Sequence, residues 1–371
     1  MNCSSPVTNP IIEGRNLKVV RGGDVILHVP SLTVQAGEVL AVIGPNGAGK
    51  TTLLQTLAYL VNPFEGELWF QGRKVGEECP VLEYRRVLSM AFQEPLLFDT
   101  TVFENVASGL KIRGLKKSEI TRIVLEYLDL FGILQLRSRS ARSLSGGEAQ
   151  RTNLARAFAT NPEVILLDEP FASLDPKSRE PLIEDMKTIL KKTKTTAAFV
   201  THDLVEALRL SDRMLVMNRG TISQIGSSEE VMNKPRDESV AGLVGIGTIL
   251  SGHVLESRNG AFKASVGGKE VEAMGDFHVG EMVDLFIRPE NVTISVGSDH
   301  AKTSARNIFP GIITNVTPMG FYWKIHLDCG FPLISYVTLQ SLEGLQLVEG
   351  RHVVASFKAT AIHATRKSPV K

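Results

Sequence analysis

The strongest constraint on this chain is the stretch Gly44-Pro45-Asn46-Gly47-Ala48-Gly49-Lys50-Thr51-Thr52, which fits the phosphate-loop pattern G-x-x-x-x-G-K-[ST]. The apolar run Val39 to Ile43 leads into it and reads as a buried strand. From Thr51 onward, Leu53, Leu54, Leu57 and Leu60 share one face of a predicted helix that ends near Asn62-Pro63. Glycines let backbone N–H groups turn inward around a phosphate, and the helix N-terminus adds partial positive charge. Lys50 supplies a full charge for the β- and γ-phosphates, and Thr51 offers a hydroxyl to the Mg²⁺ that accompanies a nucleotide. The loop therefore specifies a nucleoside triphosphate. Many machines use one, so the rest of the chain must say which.

A chain of 371 residues exceeds one ordinary core, so two or three domains are expected. A net charge of +1 gives no electrostatic reason to expect nucleic acid as the partner. Cys3, Cys79 and Cys329 are too few and too widely spaced for a disulfide framework or a zinc site. Cys3 lacks the preceding apolar run of a lipidated secretory signal. No apolar stretch is long enough to span a bilayer, so any membrane role is expected to come through a partner.

Strands are predicted at Ile12 to Val19, Val25 to Val29, Leu32 to Val34, Glu67 to Phe70 and Val87 to Phe92. At Gln93 the chain leaves the last of these. Thr101-x-x-Glu104 resembles a capping box that opens one helix, and a second amphipathic helix spans about Lys117 to Phe131. Leu144-Ser145-Gly146-Gly147-Glu148 then starts a third helix, with Ser145 as N-cap and first-turn N–H groups left open for an anion. Val164 to Leu167 is a continuous apolar run, as expected for a strand buried on both faces, and it ends in Asp168-Glu169-Pro170. Carboxylates at the C-terminal end of a central parallel strand sit where ligands bind in doubly wound sheets. Asp168 is placed to reach the Mg²⁺ shell, and Glu169 to polarise a water for attack on the γ-phosphate. Ser173-Leu174-Asp175 follows a short turn. Ala197 to Val200 is a further strand ending in Thr201-His202-Asp203, where His202 reads as a γ-phosphate contact.

These motifs in this order resemble the ATPase domain of ATP-binding-cassette (ABC) proteins, over residues 1–235, with a helical insert at about 95–160. The resemblance implies an α/β phosphate-loop fold that hydrolyses ATP with Mg²⁺. It makes Gln93 the glutamine loop, contacting the metal and the attacking water. It makes Leu144, Ser145, Gly146, Gly147 and Glu148 the signature that closes ATP onto the phosphate loop of a second copy, in a homodimer. Ser173, Leu174 and Asp175 become the loop after the catalytic strand, Glu169 the base and His202 the switch histidine. The insert would receive a coupling helix from an integral membrane permease, which places the protein at the cytoplasmic face of the membrane. Two departures are visible. The signature ends in Glu148 where the family more often has glutamine, and activity is expected to survive this. No aromatic stands where the family stacks one on adenine; Arg21 is there, either stacking its guanidinium on the base or simply solvated.

After Pro235 the helical pattern gives way to short alternating runs between Gly, Asn and Asp turns, which read as small all-β units. Gly280 to Val292 can be laid over Gly350 to Ile362, and each copy has an earlier Gly-x-hydrophobic strand, at Gly252 to Val254 and Gly311 to Ile313. Two related β-barrel units are expected, at 247–297 and 302–367, joined to the cassette by a linker at 236–246. The second unit is similar to a molybdate-binding (molbindin, Mop) domain of the OB-like TOBE class, through Thr303 to Asn307, Gly311 to Ile313, Val337 to Leu347 and Ser356 to His363. Ser304, Arg306, Lys358 and Thr360 are residue types that suit a tetrahedral oxyanion. The resemblance implies the ATPase of an importer for molybdate or tungstate, fed indirectly by a periplasmic or extracellular binding protein. Importers of sulfate, iron, spermidine or sugar carry similar β domains without a ligand and stand as the alternative. A soluble cassette of DNA repair or translation would need a coiled-coil insert, and an oxyanion-responsive regulator would need a helix-turn-helix; neither is evident.

Overall fold

The computed structural model describes residues 10–297 and 303–367. The reading made at Cys3 lies outside them. Contacts divide the chain after Ser228 into two units.

In the first unit β1 (Ile12–Arg21) and β2 (Asp24–Val34) form an antiparallel hairpin, followed by β3 (Val39–Ile43) and α1 (Lys50–Leu57). Next come β4 (Glu65–Phe70), β5 (Arg73–Lys74), α2 (Val81–Val87) and β6 (Leu88–Ala91). The helices α3 (Val102–Ile112), α4 (Lys117–Leu130) and α5 (Gly146–Ala159) make up the insert. The chain then runs through β7 (Val164–Asp168), α6 (Pro176–Thr193), β8 (Thr196–Val200), α7 (Leu204–Leu210), β9 (Arg213–Asn218) and β10 (Thr221–Ser227). A mainly parallel sheet has the order β10-β9-β3-β8-β7-β6, and a smaller antiparallel sheet the order β2-β1-β4-β5.

Every residue of β3, β7 and β8 is buried. That is the reason these strands read as unbroken apolar runs: a parallel strand covered on both faces has no side to leave polar. All three point their C-terminal ends the same way, with Leu167 opposite Phe199 and Val42 opposite Val200. The phosphate loop and the Asp168-Glu169 pair are thereby delivered to one end of the sheet.

Two helices differ from expectation. The phosphate-loop helix stops at Leu57, capped at Ala58, about a turn before Asn62. Residues 81–87, which carry little periodicity, form α2, held by one fully buried side chain: Tyr84 donates to Leu57 O at 2.6 Å and stands edge-on to Phe70, centroids 5.3 Å apart.

The second unit opens with α8 (Ser228–Asn233). The stretch expected as a linker, 236–246, holds α9 (Glu238–Leu243), capped by Asp237, whose Oδ1 accepts from Val240 N–H at 3.0 Å. Strands β11 (Thr248–Arg258), β12 (Ala261–Val266), β13 (Lys269–Met274), β14 (Met282–Ile287) and β15 (Thr293–Ser295) come next. They are followed by β16 (Asn307–Pro318), β17 (Trp323–Asp328), β18 (Pro332–Val337), α10 (Leu339–Gly344), β19 (His352–Phe357) and β20 (Ile362–Arg366).

The two sequence repeats do not close separately. One sheet has the order β13-β12-β11-β14-β20, the other β15-β19-β16-β17-β18, so each half gives its last strand to the other's sheet. A short 3₁₀ turn precedes each exchanged strand, Pro289–Asn291 in one half and Ala359–Ala361 in the other. The turn swings the chain across before the strand can pair with its own hairpin. Both sheets share one apolar core that includes Phe262, Leu285, Phe309, Phe331 and Phe357.

Candidate functional site

At the end of β3 the backbone takes conformations open to glycine. Gly44, Gly47 and Gly49 have φ of 153°, 77° and 94°. A Cβ on Gly44 would stand 2.3 Å from Met217 O, so the first glycine is required by close packing as well as by its dihedral. The loop and α1 line a cavity of about 470 Å³ together with Arg21, Ile26 and Glu169.

Lys50 is 7% exposed and its ammonium donates to Gly44 O at 2.9 Å and Pro45 O at 3.0 Å. Burial pulls its pKa down, against the opposing pull of the Glu169 and then the Asp168 carboxylates. Thr51 Oγ1 donates to Asp168 Oδ1 at 3.0 Å. Burial pushes the Asp168 carboxyl up; the Thr51 hydrogen bond opposes this, Glu169 adds to it and Lys50 counters it. A buried cation and a buried carboxylate are each held at a cost near the place where a phosphate and its metal would compensate both. The hydroxyl of Thr51 and the carboxylate of Asp168 are adjacent hard oxygen donors, which fits Mg²⁺.

Glu169 stands in left-handed backbone conformation, φ 45°, with its N–H donated to Val200 O at 3.0 Å. A non-glycine residue held there is strained, and such strain concentrates at functional sites. The turn brings the Glu169 carboxylate to the cavity wall and to His202, whose Nδ1 lies 3.2 Å from Oε2. Residues 93, 145 and 175 lie apart from this lining. Gln93 is exposed, two residues beyond Ala91, which pairs with Leu167 in the adjacent strand. Ser145 caps α5 in a reciprocal capping box: its Oγ accepts from Glu148 N–H at 3.3 Å while Glu148 Oε2 accepts from Ser145 N–H at 2.8 Å. The Ser145 hydrogen bonds hold the Glu148 carboxyl below its ordinary value. Leu144, Gly146 and Gly147 flank that cap. Asp175, after Ser173 and Leu174, caps α6 by accepting from Lys177 and Ser178 N–H at 3.0 and 3.2 Å.

Sequence reasoning missed the groups that hold the Gln93 segment. Asn153 Nδ2 donates to Phe92 O at 3.3 Å, and Arg156 Nη1 to Leu96 O at 2.7 Å. Their spacing of three on α5 was the available signal, since it sets both on one helix face.

In the second unit Asn307 pairs with Phe357, so Arg306 and Lys358 are the next residues outward from that pair, at one end of the β16–β19 ladder. Ser304 and Thr360 lie two residues further along. All four are exposed, and neither cation has an ion pair with a described residue. Asn307, beside them, is buried and exchanges two 2.8 Å hydrogen bonds with the backbone of Glu272. No helix among the described residues is long and apolar enough to cross a membrane.

Comparison with known proteins agrees with this arrangement. The ABC transporter family model matches residues 27–172 and the TOBE domain model residues 303–364. The chain is 38% identical to the molybdate/tungstate import ATP-binding protein WtpC of Pyrococcus horikoshii over 335 residues, 90% of this chain and 94% of that protein. It is 36% identical to the spermidine/putrescine import ATP-binding protein PotA of Spiroplasma citri over 324 residues, 86% of this chain and 88% of that one. Among solved structures, cbiO1 of Clostridium perfringens, part of the ABC transporter complex cbiONQ, superposes with a TM-score of 0.56 at 27% identity, covering 64% of this chain and 95% of that chain. The dimeric ATP-binding cassette MJ0796 with ADP and Pi superposes with a TM-score of 0.53 at 28% identity, covering 58% and 98%.

Proposed function

The chain belongs to the ABC transporter family as an import ATPase with a C-terminal TOBE domain, and from that premise we propose that its cargo is an oxyanion, molybdate or tungstate. The observation that carries the cargo reading is the pair of exposed cations Arg306 and Lys358, each adjacent in sequence to the ladder pair Asn307–Phe357, with hydroxyl-bearing Ser304 and Thr360 two residues further along. Two like charges that make no ion pair with a described carboxylate suit a doubly charged anion, bound by charge-assisted hydrogen bonds about twice as strong as neutral ones. The 38% identity to a molybdate/tungstate importer subunit supports the same reading.

In hydrolysis, Lys50 and the loop N–H groups hold the β- and γ-phosphates. Thr51 and Asp168, with Gln93, would hold Mg²⁺, which when bound neutralises the charge that develops between the phosphates. Glu169 accepts the proton of the attacking water. His202 contacts the γ-phosphate and is kept beside Glu169. Arg21, at the rim of the cavity, stacks on adenine. The Leu144–Glu148 cap and the Ser173–Asp175 loop serve the second protomer of a homodimer. Permease subunits dock on the helical insert and hold the protein at the cytoplasmic face of the membrane. ATP binding closes the dimer, and hydrolysis resets it. The cassette is the first unit, which ends at Ser228 rather than near 235, and the sensing and dimerising domain is the second.

Titration calorimetry of the full chain tests the cargo. Molybdate and tungstate should give heats that sulfate, with its smaller radius, does not match. Combining Arg306→Ala with Lys358→Ala should abolish those heats and leave ATP hydrolysis unaltered. Equal heats from parent and double variant would remove the site. A heat with spermidine instead would favour a polyamine cargo, the reading supported by the 36% identity to a spermidine/putrescine subunit.

A further inference from the structure

The turn that carries His202 is bracketed by a charged cluster. Arg179, near the start of α6, places Nη2 2.6 Å from Asp203 Oδ2 and Nε 2.7 Å from Glu206 Oε1. The other Glu206 oxygen accepts from the Thr201 hydroxyl, and both residues are 2% exposed. Asp203 N–H donates to Thr201 Oγ1 at 3.0 Å, while Asp203 Oδ1 caps α7 by accepting from Val205 N–H at 2.7 Å and Glu206 N–H at 3.3 Å. One guanidinium thus ties together Thr201, Asp203 and Glu206, the residues on either side of His202. At its own end, Arg179 N–H donates to Asp175 O at 2.9 Å, in the helix turn that follows Ser173 and Leu174.

A buried carboxylate such as Glu206 needs a cation, but any cation would meet that need. An ion pair of this kind gains little stability over apolar packing. What Arg179 adds is a rigid fork that holds two carboxylates of one turn at fixed angles, which a lysine cannot do. We propose that Arg179 is a positioning residue for ATP hydrolysis: its fork holds the Thr201–Glu206 turn so that His202 stays against Glu169, and ties that turn to the loop ending at Asp175. The proposal rests on the reading of His202 as a γ-phosphate contact.

The test is a double-mutant cycle on ATP hydrolysis by the full chain. Arg179→Gln alone would strand the buried Glu206, so it is paired with Glu206→Gln, and a denaturant midpoint near that of the parent shows the variant folded. The expected result is a fall in kcat of about tenfold, within the ~10²-fold that a 1 Å misplacement can cost, with KM for ATP changed less than about twofold. Arg179→Lys should recover only part of the rate. In a His202→Ala background the same pair should cost almost nothing further, because the group being positioned is gone. An equal fold-loss in both backgrounds overturns the proposal and leaves the histidine reading standing. An unchanged rate in His202→Ala alone overturns the histidine reading and this proposal with it.

Discussion

Lys50, Asp168 and Glu169 are each held in a state that the nucleotide-free protein alone does not favour: a buried ammonium, a carboxyl pushed up by burial, and a strained backbone. The sign of the Asp168 effect can be worked out. Its folded pKa is raised, so its ionised form disfavours the fold above that pKa, and the penalty vanishes as pH falls below the unfolded value. Asp168→Asn should therefore stabilise the nucleotide-free protein at pH 7 while destroying turnover, the usual exchange at a functional site. Its gain in denaturant midpoint should disappear in acid, and a gain that persisted there would trace to packing. Glu169→Gln keeps the shape and removes the proposed base, so it should bind ATP and trap it in a closed dimer with turnover down by about 10²-fold or more. Lys50→Ala should weaken binding itself. For Arg21→Ala a loss of ATP affinity of about tenfold or less is expected, the scale of one exposed cation–π contact. Unchanged binding of a labelled ATP analogue would make Arg21 a solvated charge.

Whole elements carry the site where single residues do not. Helix α5 begins at the Ser145 cap and, two and three turns on, presents Asn153 and Arg156 to the carbonyls on either side of Gln93. Rotation of α5 would therefore move the Gln93 segment. Arg156→Ala should raise the Mg²⁺ concentration for half-maximal hydrolysis while leaving nucleotide affinity within about twofold, and this shift should be lost in a Gln93→Ala background. Ser145→Ala removes one cap, worth about 1 kcal/mol, and should lower the unfolding midpoint of the cassette. The start of α5 was legible because a cap is a local matter of a hydroxyl and the third N–H beyond it. The same locality made β3, β7 and β8 legible, since burial on both faces leaves an unbroken apolar run. Helix α2 was not, because one long-range contact, Tyr84 on Leu57 O and Phe70, holds it where periodicity is weak. The Arg179 cluster was hidden for the same reason: its members lie 24 and 27 residues apart in sequence.

At the scale of the molecule the repeat in the C-terminal third was visible, but its consequence was not. Pattern aligns β14 with β19 and β15 with β20, and nothing local distinguishes a strand that pairs with its own half from one that crosses. The crossing makes the halves interdependent. In β20, Ile362 faces Ile287 and His363 faces Phe286, with the two rings stacked at 5.7 Å. His363 is further anchored by donating Nε2–H to Pro235 O at 3.1 Å, and burial holds its pKa below the ordinary imidazole value. A lowered histidine pKa means that its neutral form favours the fold above the unfolded pKa, and that this contribution is lost as pH falls through the folded one. Truncation after Ala361 should therefore open the edge of β14, in the sheet to which residues 362–366 do not belong by sequence. Amide exchange in β11 and β14 should accelerate as much as exchange in β16 and β19, because both sheets rest on one core. A fragment 247–297 should likewise fail to fold, as it keeps β15 without β19 and leaves β14 without β20. If that fragment instead showed cooperative unfolding by itself, the two halves would be separate barrels and the exchange of strands would not be what holds the domain together.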